Sequence, residues 1–335
     1  MACSMRRASP RRASPRRGSP RRAAYMVILL CVLGVPARCP AQSPDQPLQE
    51  IVVVGERAGP GLWRVHRGAA NVWILGTVSP LPKDMTWQSA QVERVIGDCR
   101  EVLVAKPFSL GVARALWLLF TQRDLFMIHG GRKLHDVLPV PLYVRFAAQR
   151  ARLTGDAGKW ERYRPLIASA FLEDAAIRKV GLSNRLDLDD EVRKLARKHA
   201  VPLDEIRIAG VHDALDVLKS LPPQTEDTCM AAALGTVESG LPSLAARADA
   251  WARGDVEAIE RLGESPETMA CWNALNLGGS ALDLITQIER TWLASIEQHL
   301  SGGGNTFAVM PIDMLLQHGG MIDALRSDGF EVEAP

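Results

Sequence analysis

Strand-like apolar runs occur near the two ends of this 335-residue chain, and most of the sequence between them has helical spacing. Residues 72–75 and 101–105 precede the helical region, and residues 306–311 and 330–332 follow it. Strands gathered at both ends of a chain are typical of a single sheet to which both ends contribute. The pattern therefore predicts an α/β (α+β) fold, with one mixed sheet built from N- and C-terminal strands and a large helical middle at about 110–300.

The composition excludes some classes of protein. Hydrophobic residues make up 47% and charged residues 23% of the chain, which is typical of a globular protein and excludes a fully disordered chain or a multi-span membrane protein. Nine of the 40 lysines and arginines lie in residues 1–41, which contain no acidic residue. The rest of the chain has 31 basic and 38 acidic side chains, which gives a formal net charge of −7. Binding of nucleic acid through bulk charge is therefore not expected.

The N-terminal segment has the layout of a secretory signal. Residues 6–22 read RRASPRRASPRRGSPRR, and they precede an apolar run at 23–37 and then small residues ending at Ala41. As a helix the run spans about 22 Å, short of the roughly 30 Å core of a bilayer. We expect a signal peptide with a basic Arg-rich repeat at 1–41, a linker at 42–61 and a single domain at 62–335. The mature protein is then periplasmic or secreted, with no membrane span; an uncleaved anchor or a misplaced start codon is the alternative.

Export has a consequence for the cysteines. Cys99, Cys229 and Cys271 remain after removal of the signal, and an oxidising compartment favours one disulfide among them. We favour Cys229 with Cys271, because they flank a charged helical stretch. Cys99 precedes an apolar strand and is expected to be a buried thiol.

No standard catalytic motif is present in the sequence. None of the seven histidines forms HExxH, and the chain lacks a GxSxG elbow, a Walker A loop and a GxGxxG turn after a strand. The histidines are His66, His129, His135, His199, His212, His299 and His318. Local spacing thus predicts neither a metal site nor a nucleophile.

Two blocks near the ends of the chain carry a more specific pattern. Residues 73–87 read WILGTVSPLPKDMTW, and Glu289-Arg290 lies in a helix that leads through a glycine turn to TFAVMPIDMLLQHGGMIDALRSDGFEV. These blocks resemble the TraB/PrgY/GumN family, whose superfamily includes the Tiki proteases. The family has a strand followed by GTxH, then an ERN helix and FxxVGxGHLxGxxGxxxxLxxxGYxV. The resemblance covers most of residues 62–333, implies the same fold, and in the Tiki branch implies a divalent-metal hydrolase site.

This chain departs from the family at the residues that would bind the metal. Ser79 stands in place of the GTxH histidine, and Asp313 is assigned to the place of the second histidine. Lys106 follows the strand that ends in an acidic residue in the family, and Thr291 replaces the asparagine of ERN. Imidazole is a preferred ligand for Zn, Mn and Co, whereas a lysine ammonium repels a cation. The resemblance therefore implies a degenerate site, and we expect no metal and no other cofactor.

The candidate pocket joins the two family blocks. It consists of Gly76, Thr77, Ser79, Glu289, Arg290 and Asp313. Burial of Arg290 beside Ser79 and Asp313 would indicate that a pocket is retained. The alternative is a surface pair of Glu289 and Arg290, which would give no evidence for a pocket.

Three functions remain open. The favoured hypothesis is an exported cell-envelope protein with a binding or accessory role toward an unknown peptide or envelope partner. The alternative is an active metal-dependent protease or hydrolase, with Mn, Co or Zn held by Asp313 together with His318 or His66, or metal-free chemistry through Ser79. The third is a purely structural envelope protein.

Overall fold

A six-stranded mixed sheet forms the base of the fold. The computed structural model describes residues 59–335 except 84, 86, 87, 107–116, 118–120, 185–187, 209, 264, 277 and 278. The strands are β1 Leu62–Arg67, β2 Ala70–Thr77, β3 Leu81–Pro82, β4 Glu101–Ala105, β5 Leu182–Ser183, β6 Leu203–Ile206, β7 Asn305–Pro311 and β8 Glu331–Glu333. The six-stranded order is β6-β4-β7-β2-β1-β8, and β3 pairs separately with β5.

The two ends of the chain meet at the centre of the sheet. β2 and β7 are parallel neighbours, with Gly76 opposite Met310 and Thr77 opposite Pro311. β4 and β6 extend this parallel set, whereas β1 is antiparallel to both β2 and β8. The central strands are buried almost throughout, as expected for parallel strands covered on both faces. The predicted fold class is confirmed.

One strand of the six-stranded sheet, β6, comes from the helical middle, which the sequence did not indicate. β6 pairs in parallel with β4 at the edge of the sheet. Its sequence, Leu-Asp-Glu-Ile, has two acidic residues side by side and lacks the alternation of a half-buried strand. The sheet is therefore not built only from the ends of the chain.

Helices account for most of the middle of the chain, as predicted. They are α1 Ala90–Gly97, α2 Val140–Thr154, α3 Pro165–Lys179, α4 Leu188–Lys198, α5 Val211–Ser220, α6 Pro223–Gly235, α7 Leu241–Ala252, α8 Val256–Leu262, α9 Pro266–Asn276, α10 Gly279–Gly302, α11 Ile312–Leu316 and α12 Met321–Ser327. A π-helical turn, Thr236–Gly240, joins α6 to α7. Pro165 opens α3, where its missing N–H group costs nothing. The dense apolar run at 112–120, for which the sequence predicts a helix, lies largely outside the described residues.

Two apolar cores hold these elements together. The larger core packs residues of α1, α4, α7 and α10 with the sheet, and includes Trp63, Trp251 and Trp292. The smaller core joins α2, α3 and α6 around Phe146 and Leu172. The helical middle therefore has a core of its own beside that of the sheet.

A disulfide links Cys229 of α6 to Cys271 of α9, the pairing favoured from the sequence. Cys99 is a buried free thiol, also as expected. The linked helices pack side by side, so the bridge closes a stretch of the chain that is already compact.

The described residues all belong to one compact unit, residues 54–335. The expected signal peptide at 1–41, the short strand at 51–54 and most of the linker lie outside the described residues, as does Trp87 of the first family block. Among the helices that the structure describes, none is long and apolar enough to cross a membrane.

Candidate functional site

The carboxyl ends of four parallel strands meet at one edge of the sheet. Thr77 ends β2, Ala105 ends β4, Ile206 ends β6 and Pro311 ends β7. In open α/β sheets, ligands usually bind outside this edge. We call it the carboxyl edge, and the sequence places most of the candidate pocket here.

Gly76 and Thr77 join the end of β2 to its neighbours. A Cβ atom on Gly76 would lie 2.9 Å from Cγ1 of Ile312 and 3.1 Å from Cδ1 of Leu315, so a glycine is needed where α11 packs on the strand. The Thr77 hydroxyl donates to the carbonyl of Met310, at 3.3 Å. The Gly-Thr pair of the family block therefore has a packing role in this chain.

Asp313, in the first turn of α11, forms an ion pair with Arg247 of α7. The Arg247 side chain is 10% exposed, whereas that of Asp313 is 54% exposed. One turn along α7, the indole N–H of Trp251 donates to the carbonyl of Gly76, at 2.6 Å. The α7 helix thus fixes both the strand end and the carboxylate at the carboxyl edge.

Ser79 and Glu289 make separate polar contacts. Ser79 is exposed, and its hydroxyl donates to the side-chain oxygen of Asn184 at 3.3 Å. The Glu289 carboxylate accepts from the side-chain amide of Gln317, at 2.7 Å. Glu289 therefore contacts the loop that follows α11, whereas Ser79 contacts the loop after β5.

Arg290 is exposed rather than buried beside Ser79 and Asp313. It lies on an open groove along α10, together with Leu282, Thr286 and Gln298. The other five candidate residues do not line that groove. Two buried arginines lie at the carboxyl edge instead: Arg247, and Arg193, which donates to the carbonyl of Ala105 at the end of β4.

The sequence reasoning missed Arg247 and Trp251. Both lie in the alanine-rich segment LPSLAARADAWA, four residues apart, and therefore on the same face of α7. An arginine and a tryptophan on one face of an alanine-rich helix could have indicated that this face makes polar contacts with another element. Which face points to the sheet could not be read from the spacing alone.

The alternative ligand His66 is too far from Asp313. His66 lies opposite Asn71 in the antiparallel β1–β2 pair. Asn71 is six residues before Thr77 on β2. At about 3.3 Å per residue this separation is about 20 Å along the strand. His66 faces Glu333 instead, with Nε2 3.2 Å from a carboxylate oxygen. The alternative that pairs Asp313 with His66 is therefore wrong; His318 is exposed on the loop after α11.

Leu315 and Gly320 give a second way to locate the missing histidine. Aligned on these two residues, the closing family pattern places its histidine at Met314, one residue after Asp313. The parallel register, by contrast, makes Asp313 the counterpart of Ser79, since each lies two residues after the paired Thr77 and Pro311. The assignment of Asp313 thus depends on the register, and neither position carries an imidazole.

The donors at the carboxyl edge do not fit a divalent metal. The Asp313 carboxylate is already neutralised by a guanidinium, and Ser79 offers only a neutral hydroxyl. Lys106, directly after β4, adds a further positive charge at this edge. Three donors and an open position are the usual minimum for a catalytic zinc site. Glu289 contacts Gln317, and among the described residues no group of three His, Cys, Asp or Glu side chains converges at this edge.

Comparison with known proteins gives one match. The family model described as the TraB/PrgY/gumN family matches residues 61–334, most of the chain. No curated protein and no solved structure matches the chain.

Proposed function

This chain belongs to the TraB/PrgY/gumN family. On that premise we propose that it is an exported cell-envelope protein. We further propose that its family site no longer carries out metal-dependent hydrolysis. The protein has a binding or accessory role in this proposal, toward a peptide or another envelope component. Family membership supports the fold in this proposal. The replacement of the two family histidines supports the loss of activity.

Export is supported by the N-terminal sequence. A basic segment, a short apolar run and small residues ending at Ala41 follow the order of a secretory signal. N-terminal sequencing of the protein recovered from cells tests this part: a chain that begins at Gln42 supports export, and a chain that retains residues 1–41 contradicts it.

The ion pair between Asp313 and Arg247 carries the proposal that hydrolysis is lost. The arginine guanidinium stays charged at every physiological pH. For Asp313 to bind a metal ion, the buried Arg247 has to lose its carboxylate partner or share it with a second cation. Breaking a fully buried pair costs about 3–5 kcal/mol, and the cost is smaller here because Asp313 is half exposed and Arg247 has a further interaction. This cost, without any imidazole to offset it, disfavours a metal at the carboxyl edge.

A binding role is supported by the exposure of polar groups at this edge. The carboxylate of Asp313 and the hydroxyl of Ser79 reach solvent, next to the carboxyl ends of the parallel strands. Ligands of open α/β sheets bind at this position. The edge thus keeps a polar, accessible surface although it lacks a set of metal ligands.

Cleavage of an unbiased peptide library tests the proposal. The purified chain is incubated with the library and Mn²⁺, Co²⁺ or Zn²⁺, with and without a chelator. We expect no chelator-sensitive cleavage, because the carboxyl edge does not hold the metal.

If chelator-sensitive cleavage is observed, two aspartate variants show whether it depends on the carboxyl edge. Asp313→Asn removes the carboxylate of the carboxyl edge, and Asp323→Asn changes an aspartate of α12 as a control. Chelator-sensitive cleavage that Asp313→Asn abolishes and Asp323→Asn retains would show an active hydrolase with unusual ligands, and the proposal would be wrong.

A further inference from the structure

A second polar cluster lies at the opposite edge of the sheet, where β4 and β6 begin. Glu101 is the first residue of β4, Asp204 lies in β6, and His299 lies in the last turn of α10. Nε2 of His299 is 3.2 Å from Oδ2 of Asp204 and 3.6 Å from Oε1 of Glu101. The His299 side chain is only 5% exposed. We call these three residues the His299 cluster.

The other ring nitrogen of His299 fixes the orientation of the imidazole. Nδ1 lies 2.6 Å from the backbone carbonyl oxygen of Ser295. A carbonyl oxygen only accepts hydrogen bonds, so Nδ1 carries the proton. In the neutral ring Nε2 then presents a lone pair to two carboxylates, and a cation between these three groups would relieve their repulsion. Metal-binding histidines typically have this arrangement, with the second nitrogen donating to a carbonyl or carboxylate.

The distances within the cluster suit one small cation. The three ligand atoms lie within 4.8 Å of one another. Ligand bonds of 2.0–2.2 Å in a tetrahedral arrangement separate neighbouring ligand atoms by about 3.3–3.6 Å. The two measured separations from Nε2, 3.2 and 3.6 Å, agree with this spacing. The side chains of Glu101 and Asp204 are 25% and 46% exposed, so water can complete the coordination.

We propose that the His299 cluster binds one divalent transition-metal ion, Zn²⁺ or Mn²⁺, through Nε2 of His299 and the carboxylates of Glu101 and Asp204. One imidazole and two carboxylates form a ligand set suited to these ions. The ion connects β4, β6 and the end of α10, and so stabilises the attachment of the outermost strand β6 to the sheet. The site is separate from the carboxyl edge and does not depend on the proposed function.

Arg100 lowers the affinity of this site. Its Nε is 2.7 Å from Oε1 of Glu101, the same oxygen that faces His299, and its Nη1 donates to the carbonyl of Gly302 at 3.0 Å. The guanidinium therefore competes with a cation for Glu101. Since the Arg100 side chain is 42% exposed, it can turn toward solvent when a metal binds.

A protonated His299 is the competing arrangement. An imidazolium would donate from Nε2 to the carboxylates and would need no metal. The two arrangements differ in one measurable property, since only the first gives saturable binding of one equivalent of a divalent ion.

Titration calorimetry and metal analysis of the purified, tag-free chain test the proposal. We expect one equivalent of Zn²⁺ or Mn²⁺, and a thermal midpoint that rises as the ion saturates the site. Asp204→Asn and His299→Gln each weaken binding at least about tenfold, since even the loss of an outer partner costs that much. Arg100→Gln tightens binding because it removes the competing charge. Asp204 is half exposed, so its variant remains informative if His299→Gln does not fold.

His66 provides a matched control. It also faces two carboxylates, those of Glu331 and Glu333, but on the exposed edge strand β8. His66→Gln should leave binding unchanged. The absence of saturable binding, or binding that Asp204→Asn and His299→Gln both leave intact, overturns the proposal. Binding lost only in Asp313→Asn overturns it together with the proposed function, whereas binding lost only in the cluster variants leaves the proposed function standing.

Discussion

Arg247 is a buried charged residue at the carboxyl edge. Its buried guanidinium pairs with Asp313, and the same face of α7 carries Trp251, which donates to Gly76. Arg290, which the family pattern singles out, is instead exposed on the groove of α10. The two arginines therefore contribute differently to stability.

Replacement of each arginine by alanine tests this difference. Arg247→Ala removes an ion pair and the packing of a buried stem, and should lower the free energy of unfolding by about 1–3 kcal/mol. Arg290→Ala removes an exposed side chain and should change it by less than about 0.5 kcal/mol. Urea denaturation followed by circular dichroism measures both values. Equal effects from the two variants would contradict the assignment of Arg247 as the buried partner.

Burial raises the pKa of the Cys99 thiol to about 12, and the charge of Asp98 adds to the shift. The folded value lies above the usual value of 9.0, so the protonated thiol is favoured in the folded state. Its contribution to stability is present below pH 9 and is lost as the pH rises toward 12.

The reactivity of Cys99 follows from this pKa. At pH 8 the thiolate fraction of the folded protein is about one in ten thousand, and the group is buried. Iodoacetamide should leave Cys99 unmodified in the folded chain and alkylate it in urea, as peptide mass mapping can measure. Modification at the same rate in both states would show that the thiol is accessible.

Residue identity in the site was partly predictable. Gly76 and Thr77 belong to a recognisable block, and the flanking positions of Cys229 and Cys271 suggested the disulfide. Arg247 was not predictable, because the sequence does not say which face of a helix meets the end of a strand. The His299 cluster was not predictable either, since its members are brought together from three distant segments.

At the scale of elements, the disulfide joins two helices of the helical middle. α6 contributes Cys229 and residues of the smaller core, whereas α9 has no fully buried residue. The bridge closes a loop of 42 residues that includes α7 and α8. α9 thus depends on the covalent link more than α6 does.

Removal of this bridge should destabilise the protein measurably. For a loop of 42 residues the chain-entropy model gives about 4 kcal/mol, at the upper end of the usual 2–4 kcal/mol. The double variant Cys229→Ser/Cys271→Ser should therefore melt at a lower temperature than the unmodified chain, as measured by calorimetry. A reductant should lower the melting temperature of the unmodified chain and leave that of the variant unchanged. A reductant effect of equal size in both would assign the loss to another group.

Elements with a strong apolar pattern were predictable, and weak ones were not. The buried runs that became β2, β4 and β7 were recognised because parallel strands at the centre of a sheet are apolar throughout. β6 was missed because an edge strand of four residues needs little apolar surface and is selected by its pairing with β4.

At the scale of the whole molecule, the sheet has two edges of different chemistry. At the carboxyl edge, where the family pattern predicts the candidate pocket, Asp313 is paired with an arginine. The amino ends of β4 and β6 hold a histidine and two carboxylates within ligand distance. The chain belongs to the TraB/PrgY/gumN family, and among the described residues the three side chains within ligand distance of one another lie away from the carboxyl edge.

Anomalous diffraction from crystals of the purified chain soaked in Mn²⁺ or Zn²⁺ tests the loss of the family site most directly. We expect no anomalous peak within coordination distance of Asp313 or Ser79, because Arg247 already pairs with the Asp313 carboxylate. An ordered metal ion bound to Asp313, with Arg247 turned away from it, would contradict the account.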